Sequence, residues 1–196
     1  MAFWTSALSE PKRQHRFILR LPELRTSNGE SAYAEYLAKT ASKPSYSISE
    51  VPHKFLGNTF YYPGTVSWEP VTVQLINSID PDGNQLLYDA LSQSGYLMPD
   101  LQNLRVNQGD GSIASGIGTV NKRSAQLALG NVEIDELTGE GQVVSIWTLK
   151  NAFITSAKFG DLDYSGDELL NIDITFRYDW AAYEQGPGFE IIRNLQ

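Results

Sequence analysis

The sequence predicts a mainly β protein, a sandwich or barrel of about six or seven strands with one flanking α-helix. Three observations carry this. Period-two alternation recurs along the chain and is cleanest near its end. There Leu170, Ile172, Ile174, Phe176 and Tyr178 share one face, while Asn171, Asp173, Thr175, Arg177 and Asp179 share the other. Composition leans the same way, with 10 Tyr, 8 Phe and 4 Trp. A helical stripe stands out in one segment only, 84–94, where Leu86, Leu87, Ala90 and Leu91 fall on one side.

Taken in order, residues 1–11 read as a loose arm. Residues 14–21 alternate Phe17, Leu19 and Leu21 against Ile18 and Arg20, and Pro22 ends the strand. Asn28-Gly29 is a hairpin signal leading into a strand over 31–40. Residues 42–63, rich in proline and aromatic rings, read as an ordered extended loop with a short strand near 58–62. Residues 65–76 form a strand with Val71, Val73 and Leu75 on one face, and Pro70 marks an edge or a bulge.

Asp80 suits a helix N-cap and Pro81 the first helical position, with Gly95 closing the helix. The glycine-rich stretch 99–119 reads as a long loop. A strand resumes over 122–134, with Ala125, Leu127 and Leu129 alternating, and 135–141 is a turn. Residues 142–150 are apolar on both faces, which calls for cover on both, by a second sheet or a second subunit.

Length and an apolar content of 41% suit one domain spanning 1–196 with a sizeable core. There is no cysteine, which excludes disulfides, thiol catalysis and Cys-ligated zinc. Neither a leader-like start nor an apolar run of about 18 residues is visible, so a soluble protein made in a cytoplasm is expected. The net charge is −8 and unevenly placed. Residues 1–60 carry eight basic and five acidic groups, whereas 61–196 carry seven basic and 18 acidic ones. An acidic total argues against grasping nucleic acid. The asymmetry suits head-to-tail self-association.

No catalytic constellation emerges, and neither a cofactor nor a metal is expected. Asp161, Asp163, Ser165 and Asp167 have the spacing of a calcium loop, but its twelfth position is Ile172 and strand patterns flank it, so an acidic hairpin turn is expected. The glycines of 109–118 lack the Gly-Lys-Ser/Thr of a phosphate loop. His15 and His53 join no nucleophile or metal motif. Trp68, Trp147 and Trp180 could form a stacking platform for bases or sugars, yet their place in alternating strands favours core or subunit-interface packing together with Phe176 and Tyr178.

Two blocks of sequence carry a resemblance. W-T-L-K, N-A-F-I-T, F-G-D-L-D-Y-S-G-D-E-L and R-Y-D-W-A, within 147–181, follow A-K-T-A-S-K-P at 38–44 and K-F-L-G-N-T-F-Y-Y-P-G-T-V-S-W-E-P-V-T-V at 54–73. In this order they resemble the tail tube proteins of contractile-tailed bacteriophages, a family related to the inner-tube proteins of type VI secretion and tailocin-like devices. The stretches 26–40 and 99–119 are longer than the family core.

The resemblance implies a structural virion protein without enzymatic activity. Its copies would close into hexameric rings with a shared inner β-barrel, stacked into a hollow tube and assembled in a bacterial host cytoplasm. Implied partners are other copies, the tail sheath protein, the tape measure protein, and baseplate and tail-terminator proteins. DNA would pass through the lumen without specific binding. A lumen or partner-facing wall carrying Asp161, Asp163, Asp167, Asp173 and Asp179 would repel phosphates. The alternatives are a tube-initiating or terminating baseplate protein, the inner tube of an injection device, and a β-sandwich carbohydrate-binding module.

Overall fold

A computed structural model describes residues 11–22, 24, 37–96 and 119–187. In chain order these form β1 (Phe17–Arg20), β2 (Ala38–Ala41), β3 (Tyr46–Phe55), β4 (Asn58–Trp68) and β5 (Val71–Ile76). Helices α1 (Gly83–Gln93) and α2 (Lys122–Leu129) follow. The chain then runs through β6 (Val132–Leu137), β7 (Val143–Lys150), β8 (Phe153–Lys158), β9 (Asn171–Arg177) and β10 (Trp180–Gln185).

Two four-stranded antiparallel sheets make the body, ordered β1-β6-β7-β10 and β2-β5-β9-β8. Their facing sides share one core. Leu19, Val132, Ile134 and Leu149 come from the first sheet, and Val71, Val73, Leu75, Ile172, Ile174 and Phe176 from the second. The alternation in 170–178 is realised in β9: Ile172, Ile174 and Phe176 are fully buried and Tyr178 nearly so. Burying a side chain of this size stabilises by roughly 1.5–3 kcal/mol. Among the described residues each sheet ends in two unpaired edge strands, β1 and β10 in the first and β2 and β8 in the second.

Helix α1 buries Leu86, Leu87 and Ala90 of the expected stripe but leaves Leu91 exposed at its margin, and it packs on α2, which lies against β8. Its cap differs from expectation. Asp82, not Asp80, is the N-cap, its carboxylate accepting from the Asn84 N–H at 2.9 Å.

Residues 122–129 are a helix, not the start of a strand. Asn121 caps it by accepting from the Ser124 N–H at 2.9 Å. Ala125, Ala128 and Leu129 are buried at helical spacing, while Leu127 points to solvent. Gly130, at φ 71°, ends the helix before β6. Ala125 and Leu129, four apart, suit either period and only Leu127 argued for a strand; the Asn cap and the burial of Ala128 go with the helix.

The expected loop over 42–63 is instead a β-ribbon, β3 paired with β4, separate from both sheets. Leu56 and Gly57 both have positive φ, 48° and 81°, the geometry of a tight two-residue hairpin turn. Pro52 and Pro63 misled the reading. In a two-stranded ribbon both strands are edges, so a residue without an N–H can point that side to solvent. The strand expected over 65–76 is divided at Glu69-Pro70: its first part belongs to the ribbon and its second to the sheet.

Strand β6 runs to Leu137, so the turn expected over 135–141 begins only at Thr138. The strand total among the described residues is therefore ten, above the expected six or seven. The mainly β class holds. The Asn28-Gly29 turn, the glycine-rich stretch up to residue 118, the arm through residue 10 and the tail beyond 187 lie outside the described residues.

Candidate functional site: surfaces open to other subunits

The β3-β4 ribbon is the first surface. Every residue of β3 is exposed, and so is all of β4 except Trp68 at its base. The register places Val51 opposite Tyr62, His53 opposite Phe60 and Phe55 opposite Asn58. Strand alternation therefore puts Val51, Phe55, Phe60 and Tyr62 on one face of the ribbon. The ribbon is fixed to the body at its base, where Trp68 packs edge-on to Tyr46 and tilted against Tyr178 at centroid distances of 5.4 and 6.0 Å. A two-stranded ribbon is at best marginally stable alone in water. An apolar face on such an element calls for cover.

The second surface is the outer face and open edges of the β2-β5-β9-β8 sheet. Asp173 lies on that polar face and accepts from Gln74 Nε2 at 2.9 Å, across the β5-β9 pair.

The third is a cavity of about 510 Å³ between β1 and β2, where the two sheets meet. Among the described residues Lys12, Arg13, Arg16, Lys39 and Lys43 line it, against a single carboxylate, Glu136. Glu136 is buried in β6 and accepts from Lys12, Lys43 and Ser145. Burial alone would raise its pKa. The hydrogen bonds from Lys12, Lys43 and Ser145, with the Lys12 charge, outweigh this and hold it at about 2. Its neighbour Asp135 is fully buried and lies 2.9 Å from an Arg20 guanidinium nitrogen. Neither acid was singled out in the sequence, because both fall in a stretch that reads as a turn. The missed signal was the alternation through Val132 and Ile134, which carries on into them.

The fourth is the loop 159–170 between β8 and β9. Asp161, Asp163, Asp167 and Glu168 are exposed there, as are Leu162, Tyr164 and Leu169. Asp163 accepts from the backbone N–H and hydroxyl of Ser165, and these bonds lower its pKa. No cluster of three or more metal-ligating side chains lies among the described residues.

The sequence-selected residues divide among these places. Phe176 and Tyr178 are core. Trp68 and Trp147 are half-buried, Trp147 packing on Tyr183 across the β7-β10 pair at 4.9 Å. Trp180 is 49% exposed on the edge strand β10 and is the tryptophan of this group most open to a neighbour. Asp179 is engaged within the chain, by Lys122 at 2.7 Å and Asn151 at 2.7 Å, and these contacts lower its pKa. The other four selected acids are not brought to one point. Asp161, Asp163 and Asp167 share the loop, and Asp173 lies on the adjoining sheet face.

No protein-family profile and no curated protein matches the sequence. Solved structures do match in fold. The chain is similar to one in the extended-state sheath-tube complex of an extracellular contractile injection system, PVC, at 18% identity and a TM-score of 0.57 over 94% of this chain and 99% of that one. It is similar to a chain of the anti-feeding prophage tube-terminating cap, at 18% identity and 0.56 over 95% and 100%. A chain of the six-fold-symmetrised anti-feeding prophage baseplate matches at 17% identity and 0.55 over 90% and 97%. The fold is thus one that this chain shares, nearly end to end, with chains of the PVC contractile injection system and of the anti-feeding prophage.

Proposed function

We propose that the chain is a structural subunit of the hollow inner tube of a contractile phage tail or phage-derived injection device. All 196 residues serve as one tube domain, polymerising as stacked hexameric rings. The observation that carries this reading is the projecting β3-β4 ribbon, whose apolar face no other part of the described chain covers. Neighbouring copies supply that cover. Ring closure also pairs the open edges β2 and β8 of adjacent copies into a shared inner barrel, which removes edges that would otherwise invite uncontrolled pairing.

In this arrangement the polar outer face of the second sheet, with Asp173, lines the channel. That face sets Asp173 opposite Lys158 and carries Arg177 among neutral Gln74, Asn171 and Thr175; DNA passes behind a tape measure protein without specific binding. The sheath, baseplate and terminator proteins bind the outer wall and the tube ends. A second reading draws on the cap and baseplate chains among the similar structures: a tube-initiating or terminating protein present in one or a few rings. Negative-stain microscopy separates them. Long tubes support the main tube subunit, and isolated rings support the initiator or terminator. Monomers at every concentration overturn both.

A further inference from the structure

We propose that the acidic loop 161–168 of one copy seats in the basic cavity between β1 and β2 of the next copy around the ring. The proposal rests on the self-assembling reading above and adds the contact that sets the direction of ring closure.

The strand register carries the argument. In the second sheet β2 is one edge and β8 the other, with β5 and β9 between them. Lys158, the last residue of β8, is level with Asp173 of β9, which is level with Gln74 of β5, which is level with Thr40 of β2. The loop therefore leaves the β8 edge at the height where Lys39 and Thr40 sit on the β2 edge. When β8 of one copy lies beside β2 of the next, residues 161–168 arrive at the Lys39 and Thr40 end of the cavity, whose wall runs on past Ala41, level with Ala157, to Lys43. The pairing this requires is antiparallel, the sense of every pair in the sheet.

Charge and shape agree. Among the described residues the cavity gathers five cationic side chains, and Lys12 and Lys43 already serve its one acid, Glu136. The side chains of Arg13 and His15 have no partner among the described residues. The loop offers four carboxylates with Leu162 and Tyr164 fully out in solvent, and the cavity wall includes Phe17, Ile134 and Leu137. Because β5 and β9 separate the two edges, the fit is heterologous: each copy gives its loop on one side and receives one on the other. That is the contact type that closes a ring.

Cross-linking tests this cleanly, because the chain has no native cysteine. Gln14→Cys places a thiol at the cavity rim. Gly166→Cys places one in the loop, where an added Cβ meets nothing closer than 3.9 Å. Neither substitution alters a charge. With a short bismaleimide, mixing the two single variants should give a covalent dimer that neither gives alone. The Q14C/G166C chain should give a ladder of oligomers. Reversing charge on one side, R13E/K39E or D161K/D167K, should abolish the dimer and weaken assembly, and combining both reversals should restore them. If wild-type protein forms rings or tubes but the mixed variants do not cross-link, the loop contact is wrong and the tube reading stands. If wild type stays monomeric and nothing cross-links, both fall. A closed, unoligomerised Q14C/G166C product would show that the loop fills its own cavity, which also overturns the proposal.

Discussion

Glu136 on β6 and Lys43 beyond the end of β2 form an ion pair that ties the two sheets together where they meet. Lys12 and the Ser145 hydroxyl complete the carboxylate's shell from the other side. The pair therefore links folding to pH. Its carboxyl pKa is lowered from 4.5 to about 2 in the folded state. A lowered carboxyl contributes stability above the unfolded value and loses it as pH falls through the folded one. We expect stability from this group to be full above pH 4.5 and to decline toward pH 2. The total lost should be on the order of 3 kcal/mol. Glu136→Gln should destabilise at neutral pH by about 1–3 kcal/mol, because its lysine partners are half-exposed and rehydrate. It should also flatten the acid limb of a thermal-melt series. An unchanged acid limb would show that the pair is not coupled to folding.

The two faces of β9 should respond differently to truncation. Phe176 is fully buried against both sheets, so Phe176→Ala should cost roughly 3–5 kcal/mol in urea unfolding. Asp173 is half-buried on the polar face and bonded to Gln74, so Asp173→Ala should cost under about 1 kcal/mol. Equal costs would mean that the face assignment fails.

Phe60→Asp with Tyr62→Asp changes the apolar face of the ribbon without touching the core. We expect the melting temperature of the monomer to stay within a few degrees and assembly, read by mass photometry, to disappear. Intact rings from this variant would remove the ribbon from the assembly contacts.

Helix α2 depends on its cap and on a joint with α1. Asn121 accepts from the Ser124 N–H with its side chain, and its own N–H donates to the Ser94 carbonyl that ends α1, at 3.2 Å. Asn121→Ala removes only the side-chain bond and should cost about 1 kcal/mol. Asn121→Asp, which keeps the acceptor, should recover most of it in the same unfolding measurement.

Alternation along 170–178, the core-facing valines of β5 and the stripe of α1 could all be read locally, because each element's own period states which side is buried. The same logic placed Phe176 and Tyr178 in the core and Asp173 outside it. Residues 122–129 could not be settled by period, since Ala125 and Leu129 at i and i+4 fit either a strand or a helix and the exposed Leu127 between them completes a false alternation. The distinction came from Asn121 and from α1, against which the helix packs. Residues 42–63, apart from a short strand near 58–62, read as a loop because proline is costly in a sheet interior; only the tertiary structure shows a ribbon with no interior. The cavity also had to wait for the structure. Lys12, Arg13, Lys39, Lys43 and Glu136 are spread over more than half the chain, and only the meeting of β1 and β2 brings their charges together. Periodicity is a property of neighbours in sequence. A cavity and its electrostatics are properties of neighbours in space, and these are decided by strand order.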